Sequence, residues 1–262
     1  QSKVVVKILD PIVCISKYSI LSLTTKGAYN LPYVREFEDG ERYVNVEFYN
    51  EIWNIDDWKE MQKIKNQNYK LMQDLDFKNE TDSSAFSGIS FNGVFDGNNY
   101  TISNIRILSE KSNTPPSLFA TVSPGAKICN LYVKNYFIES NYYYLSIFGS
   151  ARSAIFENVH LENITIESNT KGTGANNTGL IGNTDGGTIR NFTANNVKIK
   201  IFNKTSEIYI GGISGLGSTD IENSYINNLY IEEGNNSSIL AVGGIIGNFP
   251  KRLYDIKNPV TK

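Results

Sequence analysis

Three aspartates in this chain have the types and spacing that acid–base or calcium chemistry uses. Asp74 and Asp76 are two residues apart in "LMQDLDF", so in a strand both carboxylates lie on one outer face. Paired carboxylates on a β surface can bind calcium or act as acid and base in sugar cleavage. No third acid recurs beside them, and Asp96 lies in "DGN", which indicates a turn. The pattern therefore favours structural roles for these acids.

A zinc-peptidase helix is excluded by the histidine content. His160, in "NVHLEN", is the single histidine of the chain, and a His-Glu-x-x-His motif needs two. His160 alternates with the apolar Val159 and Leu161, so we expect its ring to point outward into solvent, with only Glu162 nearby. We predict no catalytic residue, no metal ligand and no cofactor in this chain.

Tyrosines provide the candidate ligand contacts. An exposed aromatic cluster can dock sugar rings or a protein partner, whereas rings that lie along a wall only cover it. The sequence leaves both interpretations open. The residues in question are Tyr132, Tyr136 and the run Tyr142, Tyr143 and Tyr144.

An internal repeat predicts the secondary structure on which these side chains lie. Four segments, "ICNLYVKNYFI", "FENVHLENITI", "IRNFTANNVKI" and "IENSYINNLYI", share an apolar alternation with Asn at two fixed places. The first Asn recurs at spacings of 28, 33 and 32 residues. The eight repeated asparagines are Asn130, Asn158, Asn191 and Asn223 at the first place, and Asn135, Asn163, Asn196 and Asn228 at the second.

The alternation skips one residue at each Asn, so Ile128 and Leu131 are three positions apart. A strand that keeps its apolar face inward across such a step has to bend there. Asn tolerates the left-handed backbone that a corner needs, and its amide can bond to nearby groups. We therefore predict that the asparagines mark two corners of a coil made of three short strands. Equivalent asparagines of stacked coils would form ladders.

A second landmark keeps the same period. "SIFG", "GLIG", "GISG" and "GIIG" end at glycines spaced by 33, 33 and 32 residues, and fit a third strand with little side-chain room. Leucine-rich repeats are shorter, and helical repeats need apolar spacings of three and four. The predicted fold is all-β: a right-handed parallel β-helix. The stretches 168–178 and 232–238 vary in length and are expected to be loops.

The ends of the repeat predict two further parts. "NIDDWKEMQKIKN" (54–66) has an N-cap Asn54 and a shared face of Trp58, Met61 and Ile64, so we expect a capping helix with Trp58 on the first coil. Residues 1–50 are predicted to be a leading β segment or the end of a preceding domain, and 51–262 the β-helix. Because 256–258 begins another unit, we expect a longer solenoid.

Composition excludes some classes of partner. The net charge of −2 gives no reason to expect nucleic acid, and no apolar run is long enough for a transmembrane span. Cys14 and Cys129 are too few and too far apart for a disulfide framework or a metal knuckle. We expect a monomer without membrane insertion.

The motifs resemble a known family. "YKLMQDLDF", "FNGVFDGNNYTISNI", "LF", "ICNLYV", "GLIG" and "GGIIG" resemble the N-terminal region of the bacterial immunoglobulin A protease family of zinc metallopeptidases, and the GLUG repeats found there. The resemblance covers about residues 53–258. It implies a secreted or cell-wall-anchored protein of a Gram-positive bacterium, with zinc only in a separate catalytic domain.

Three functions follow as expectations. The first is a non-catalytic substrate-binding and spacer region of such a peptidase, holding a host protein or glycoprotein such as immunoglobulin A. The second is a surface adhesin or stalk without protease activity, which GLUG repeats also permit. The third, a polysaccharide lyase or hydrolase, needs a stacked acidic set that the outward repeat positions lack.

Overall fold

The computed structural model describes residues 37–38, 41–42, 49–64, 66–79, 86, 90–109, 116–141, 145–169, 175–202, 207–233, 239–248, 256–257 and 260–261. This part of the chain contains one α-helix, α1 (Ile55–Met61). The strands are β1 (Phe37–Glu38), β2 (Glu41–Arg42), β3 (Asn50–Ile52), β4 (Tyr69–Leu71), β5 (Leu75–Asp76), β6 (Ser90–Phe91), β7 (Val94–Asp96), β8 (Thr101–Ser109), β9 (Phe119–Val122), β10 (Lys127–Ser140), β11 (Phe148–Ser168), β12 (Ala175–Thr178), β13 (Ile181–Ile201), β14 (Glu207–Gly211), β15 (Ser214–Glu222), β16 (Tyr225–Glu233), β17 (Ile239–Gly243), β18 (Ile246–Asn248), β19 (Ile256–Lys257) and β20 (Val260–Thr261).

The chain divides into two compact units, 1–50 and 51–262. In the first unit, β1 and β2 pair antiparallel, with Phe37 opposite Arg42. Residues 1–36 of the predicted leading β segment lie outside the described residues.

The second unit is a parallel β-solenoid of about four turns, which confirms the predicted fold class. Strands β10, β11 and β13 stack in direct register, so that Ile128, Phe156 and Ile189 form one inward file. The same register extends back to β7 and β8 and on to β15 and β16. Because no single coil can bury its own apolar face, each coil depends on its neighbours for both hydrogen bonds and core.

The core is built from these inward files and contains a continuous series of phenyl rings. Neighbouring rings lie 5.2 to 6.5 Å apart between centroids, mostly edge to face. Burying each such ring contributes about 1.5–3 kcal/mol. The series consists of Phe91, Phe95, Phe119, Phe148, Phe156 and Phe192, all at most 1% exposed.

The capping helix is present, and it covers the first coils. Asn54 is its N-cap and accepts from the backbone N–H of Asp56 and Asp57 at 2.9 and 3.0 Å. Trp58 is fully buried, which confirms its predicted place on the first coil. The helix ends at Met61, earlier than the sequence suggested, and Ile64 is 43% exposed. The helix is too short for Ile64 to share the buried face.

The coils contain more segments than the three strands predicted. In the coil formed by 175–201, β12 is one extended segment and β13 provides four more. The bends that divide β13 are at Gly186 and Gly187 together, at Asn191 and at Asn196. The stretch 168–178 is not wholly a loop, since 175–178 forms β12. Strands β12, β14 and β17 make a separate parallel sheet. The expected loop at 232–238 begins inside β16, and 234–238 lie outside the described residues.

Candidate functional site

Two ladders of asparagine amides run along the edges of the solenoid. All eight repeated asparagines have φ between 47° and 56°, as a corner requires. In the first ladder, the side-chain amide of Asn191 donates to Asn158 at 3.0 Å and that of Asn158 donates to Asn130 at 3.0 Å. Asn130 in turn donates to the Asp96 carboxylate at 3.0 Å. The corners are therefore linked between coils by side chains as well as by backbone.

The second ladder is longer and also ends on a carboxylate. Its successive Nδ2···Oδ1 distances are 2.8 to 3.1 Å, running from Asn228 through Asn196, Asn163, Asn135 and Asn104 to Asp76. Because a carboxylate only accepts, Asp76 requires the first amide to donate, and each later amide then keeps the same orientation. The hydrogen bond from Asn104 is the main cause that lowers the pKa of Asp76.

Substitution of Asn163 measures what a ladder contributes to stability, because its amide donates to Asn135 and accepts from Asn196. Replacing Asn163 with alanine is expected to lower the free energy of unfolding by about 2 kcal/mol, because both the left-handed backbone and the amide bonds are lost. Asn163→Gly keeps the backbone freedom and is expected to cost about 1 kcal/mol. Urea denaturation measures both. A loss close to zero for Asn163→Gly would mean that the ladder itself contributes nothing, and equal losses would mean that the left-handed backbone costs alanine nothing.

The strands between the two ladders form an outward face, and we call it the inter-ladder face. Each of five stacked strands, β8, β10, β11, β13 and β16, contributes two outward side chains, which are aligned by the strand register. They form one file with Thr101, Tyr132, His160, Thr193 and Tyr225, and a second file with Ser103, Lys134, Glu162, Asn195 and Asn227.

Specific contacts order this face. The Tyr132 and His160 rings stack at 4.7 Å with 29° between their planes. The Lys134 ammonium and the Glu162 carboxylate are 2.8 Å apart and their side chains are 47% and 43% exposed, so this ion pair contributes less than about 1 kcal/mol. The Asn227 amide donates to Asn195 at 2.9 Å.

His160 does point outward, but the expectation of a solvated ring was wrong. It is half-buried, stacked on Tyr132, and its Nδ1 is 2.7 Å from the Thr193 hydroxyl. Burial lowers the pKa of His160, because desolvation disfavours the charged imidazolium. The neutral ring is therefore the form that the folded chain favours.

Acidification is expected to destabilise the solenoid through His160. Its pKa in the folded state lies below the value of about 6.5 for an unfolded chain, so the unfolded state takes up the proton first. The contribution of neutral His160 to the free energy of unfolding is therefore present above the unfolded-state pKa and is lost as the pH falls below it. Between pH of about 7.5 and about 5.5, the free energy of unfolding of the wild type should fall more than that of His160→Gln. Parallel slopes in chemical denaturation would contradict this.

The tyrosines that the sequence offered as ligand contacts lie in different environments. Tyr132 lies on the inter-ladder face. Tyr136 was wrongly included, since it is 1% exposed and its hydroxyl reaches the Ser146 carbonyl at 3.5 Å. It follows the corner at Asn135, where the alternation shifts by one residue and turns it inward. Tyr142, Tyr143 and Tyr144 lie outside the described residues.

Two exposed tyrosines were missed by sequence reasoning. Tyr225 is 39% exposed in the file of Tyr132 and His160, and Tyr230 is 54% exposed beyond the Asn228 corner. The repeat pattern does indicate that Tyr225 points outward, because Ser224 occupies the inward position of the repeat. Lys198 lies over the Tyr230 ring at 5.3 Å.

The three aspartates bind other parts of the solenoid. Asp74 accepts from the Thr101 backbone N–H at 2.7 Å. Asp96 accepts from the Asn98 backbone N–H at 2.9 Å, as a turn residue does, and pairs with the Lys70 ammonium at 3.2 Å. Asp74 precedes β5 while Asp76 ends it, so the two do not share one long strand as predicted. Among the described residues, no three His, Cys, Asp or Glu side chains group closely enough to hold a metal ion.

These features define a parallel β-solenoid whose outer face is ordered by asparagine ladders. No protein-family model, curated protein or solved structure matches the chain. Of the described helical residues, none form a helix long and apolar enough to span a membrane.

Proposed function

We propose that this chain is the non-catalytic binding and spacing region of a secreted or cell-wall-anchored bacterial zinc metallopeptidase that acts on a host glycoprotein such as immunoglobulin A. Zinc would be bound by a separate catalytic domain. The observation that carries the proposal is that Asp74, Asp76 and Asp96 accept hydrogen bonds that build the coils. These carboxylates are used to join coils of the solenoid. A solenoid whose acids have structural roles is suited to presenting a binding surface.

Two further features support a spacing role. The core is continuous through successive coils, and the ladders tie each coil to the next at its corners. A stack in which each coil contacts only its neighbours grows in one direction as coils are added, which suits a spacer. The GLUG-like "GLIG" and the neighbouring motifs that resemble the peptidase family supply the link to a host glycoprotein.

Binding of the purified chain to immunoglobulin A tests the proposal directly. The chain is immobilised, and association is measured by interferometry against immunoglobulin A, with serum albumin as the control protein. We expect saturable binding to immunoglobulin A and no binding to serum albumin. Absence of binding to this and to other mucosal glycoproteins would overturn the proposal.

A surface adhesin or stalk without an attached peptidase is the second candidate. The uninterrupted direct register of β10, β11 and β13 suits a stalk equally well. The coding sequence that follows this region distinguishes the two candidates. A downstream His-Glu-x-x-His helix supports the peptidase, and its absence supports the stalk.

A further inference from the structure

The inter-ladder face carries almost no net charge. Lys134 and Glu162 neutralise each other at 2.8 Å, and the other eight outward residues of its two files are hydroxyl, amide or aromatic side chains. A face of this composition does not attract an acidic polymer by long-range electrostatics. It suits a ligand that is itself neutral and rich in hydrogen-bonding groups.

In the file that contains Tyr132 and His160, one small side chain lies between two ring-bearing positions, and we call the space above it the notch. His160 and Tyr225 lie on coils two apart, with the smaller Thr193 on the coil between them. Since parallel strands are spaced by about 4.8 Å, the two ring-bearing positions are about 10 Å apart. Carbon atoms in contact are about 3.5–4.0 Å apart, so a single six-membered ring fits between the two side chains.

Amides surround this notch on both sides. Asn191 and Asn223 lie at the corner on one side, and Asn196 and Asn228 at the corner on the other, all four of them exposed. Neutral amides both donate and accept hydrogen bonds, which matches the hydroxyl groups of a sugar. The apolar C–H face of a pyranose can pack on an aromatic ring as another ring does.

We propose that the inter-ladder face binds a neutral glycan chain, with one sugar ring in the notch between His160 and Tyr225 above Thr193. This rests on the proposed function, because it names the part of a host glycoprotein that the solenoid recognises. Hexose and N-acetylhexosamine units have the required chemistry: a C–H face for the rings and uncharged hydroxyl or amide groups for the corners.

The chain offers a matched pair of variants. Tyr225 and Tyr230 are exposed tyrosines of β16, separated by the Asn228 corner, so they lie on different faces. Tyr225→Ala removes one wall of the notch, whereas Tyr230→Ala leaves the notch intact. A third variant, Thr193→Tyr, fills the notch, and the same file already accommodates tyrosine at Tyr132 and Tyr225.

The experiment measures binding of the 262-residue chain to an array of neutral oligosaccharides, with sialylated and uronic-acid chains as the charged comparison, followed by calorimetry with the best neutral chain. We expect neutral chains to bind, Tyr225→Ala and Thr193→Tyr to weaken binding about tenfold or more, and Tyr230→Ala to change it less than about twofold. Circular dichroism shows that each variant is folded. Binding only to charged chains, no binding to any glycan, or equal effects of the two alanine variants would overturn the inference.

Enzymatic deglycosylation separates this inference from the proposed function. If immunoglobulin A binds before but not after its glycans are removed, both stand. If it binds equally well after removal, the proposed function stands and the glycan inference fails. If neutral glycans bind and immunoglobulin A does not, the inference stands and the assignment of immunoglobulin A as the substrate fails.

Discussion

Replacing Trp58 with alanine is expected to lower the free energy of unfolding by about 4 kcal/mol, the upper part of the range for a buried large-to-small change. The Trp58 ring is fully buried and meets Phe77, Phe95 and Phe119 edge to face at 5.9 to 6.0 Å. These three phenyl rings belong to successive parts of the first coils. Removing the indole therefore leaves a cavity and uncovers the apolar end of the stack.

Trp53 provides the matched control, because it is the other tryptophan of this region and is 47% exposed. Trp53→Ala is expected to cost less than about 1 kcal/mol, since it loses little packing. Guanidinium unfolding followed by far-ultraviolet circular dichroism measures both variants. If Trp58→Ala lowers the free energy of unfolding no more than Trp53→Ala does, the capping helix does not stabilise the end of the core.

Replacing Gly215 with alanine is expected to cost about 3 kcal/mol, the most that overpacking commonly costs. A Cβ at this position would lie 2.4 Å from the Thr178 backbone nitrogen and 2.8 Å from the Tyr209 carbonyl oxygen. Both neighbours are main-chain atoms of the β12–β14 sheet, so they cannot rotate away. The two sheets would have to separate.

Gly182, the equivalent residue one coil earlier, gives a graded comparison. Its added Cβ would lie 3.0 Å from the Gly149 carbonyl oxygen and 3.2 Å from the Ser146 hydroxyl, a milder approach. Gly182→Ala should therefore cost clearly less than Gly215→Ala in thermal unfolding followed by calorimetry. A larger loss at Gly182 than at Gly215 would contradict the explanation by close backbone contact.

These glycines show how far a repeat pattern predicts packing. The period predicted that they lie in a strand with little room for side chains. In the structure, a Cβ added at any of the four would lie within 3.0 Å of a main-chain atom, at Gly149, Gly182, Gly215 and Gly247. The sequence did not reveal the neighbouring sheet, because β12 lies in a stretch of small and polar residues, "ANNT", without apolar alternation. Its strand conformation depends on pairing with β14.

The coil, its two asparagine corners and the capping helix are all encoded in local sequence patterns. An apolar alternation that slips by one residue beside an amide is a local signal, and Asn adopts the left-handed backbone without help from distant residues. The N-cap at Asn54 and the buried face of Trp58 and Met61 are local in the same way. Four repeats then made the local signal unambiguous.

Which outward side chains meet depends on how the coils stack. Tyr132, His160 and Thr193 are about 30 residues apart from one to the next, and their stacking and hydrogen bond depend on coils lying in direct register. The same stacking buried Tyr136 and left Tyr225 exposed. Contacts between coils come from the spacing of neighbouring strands, a distance that the pattern within one coil does not contain.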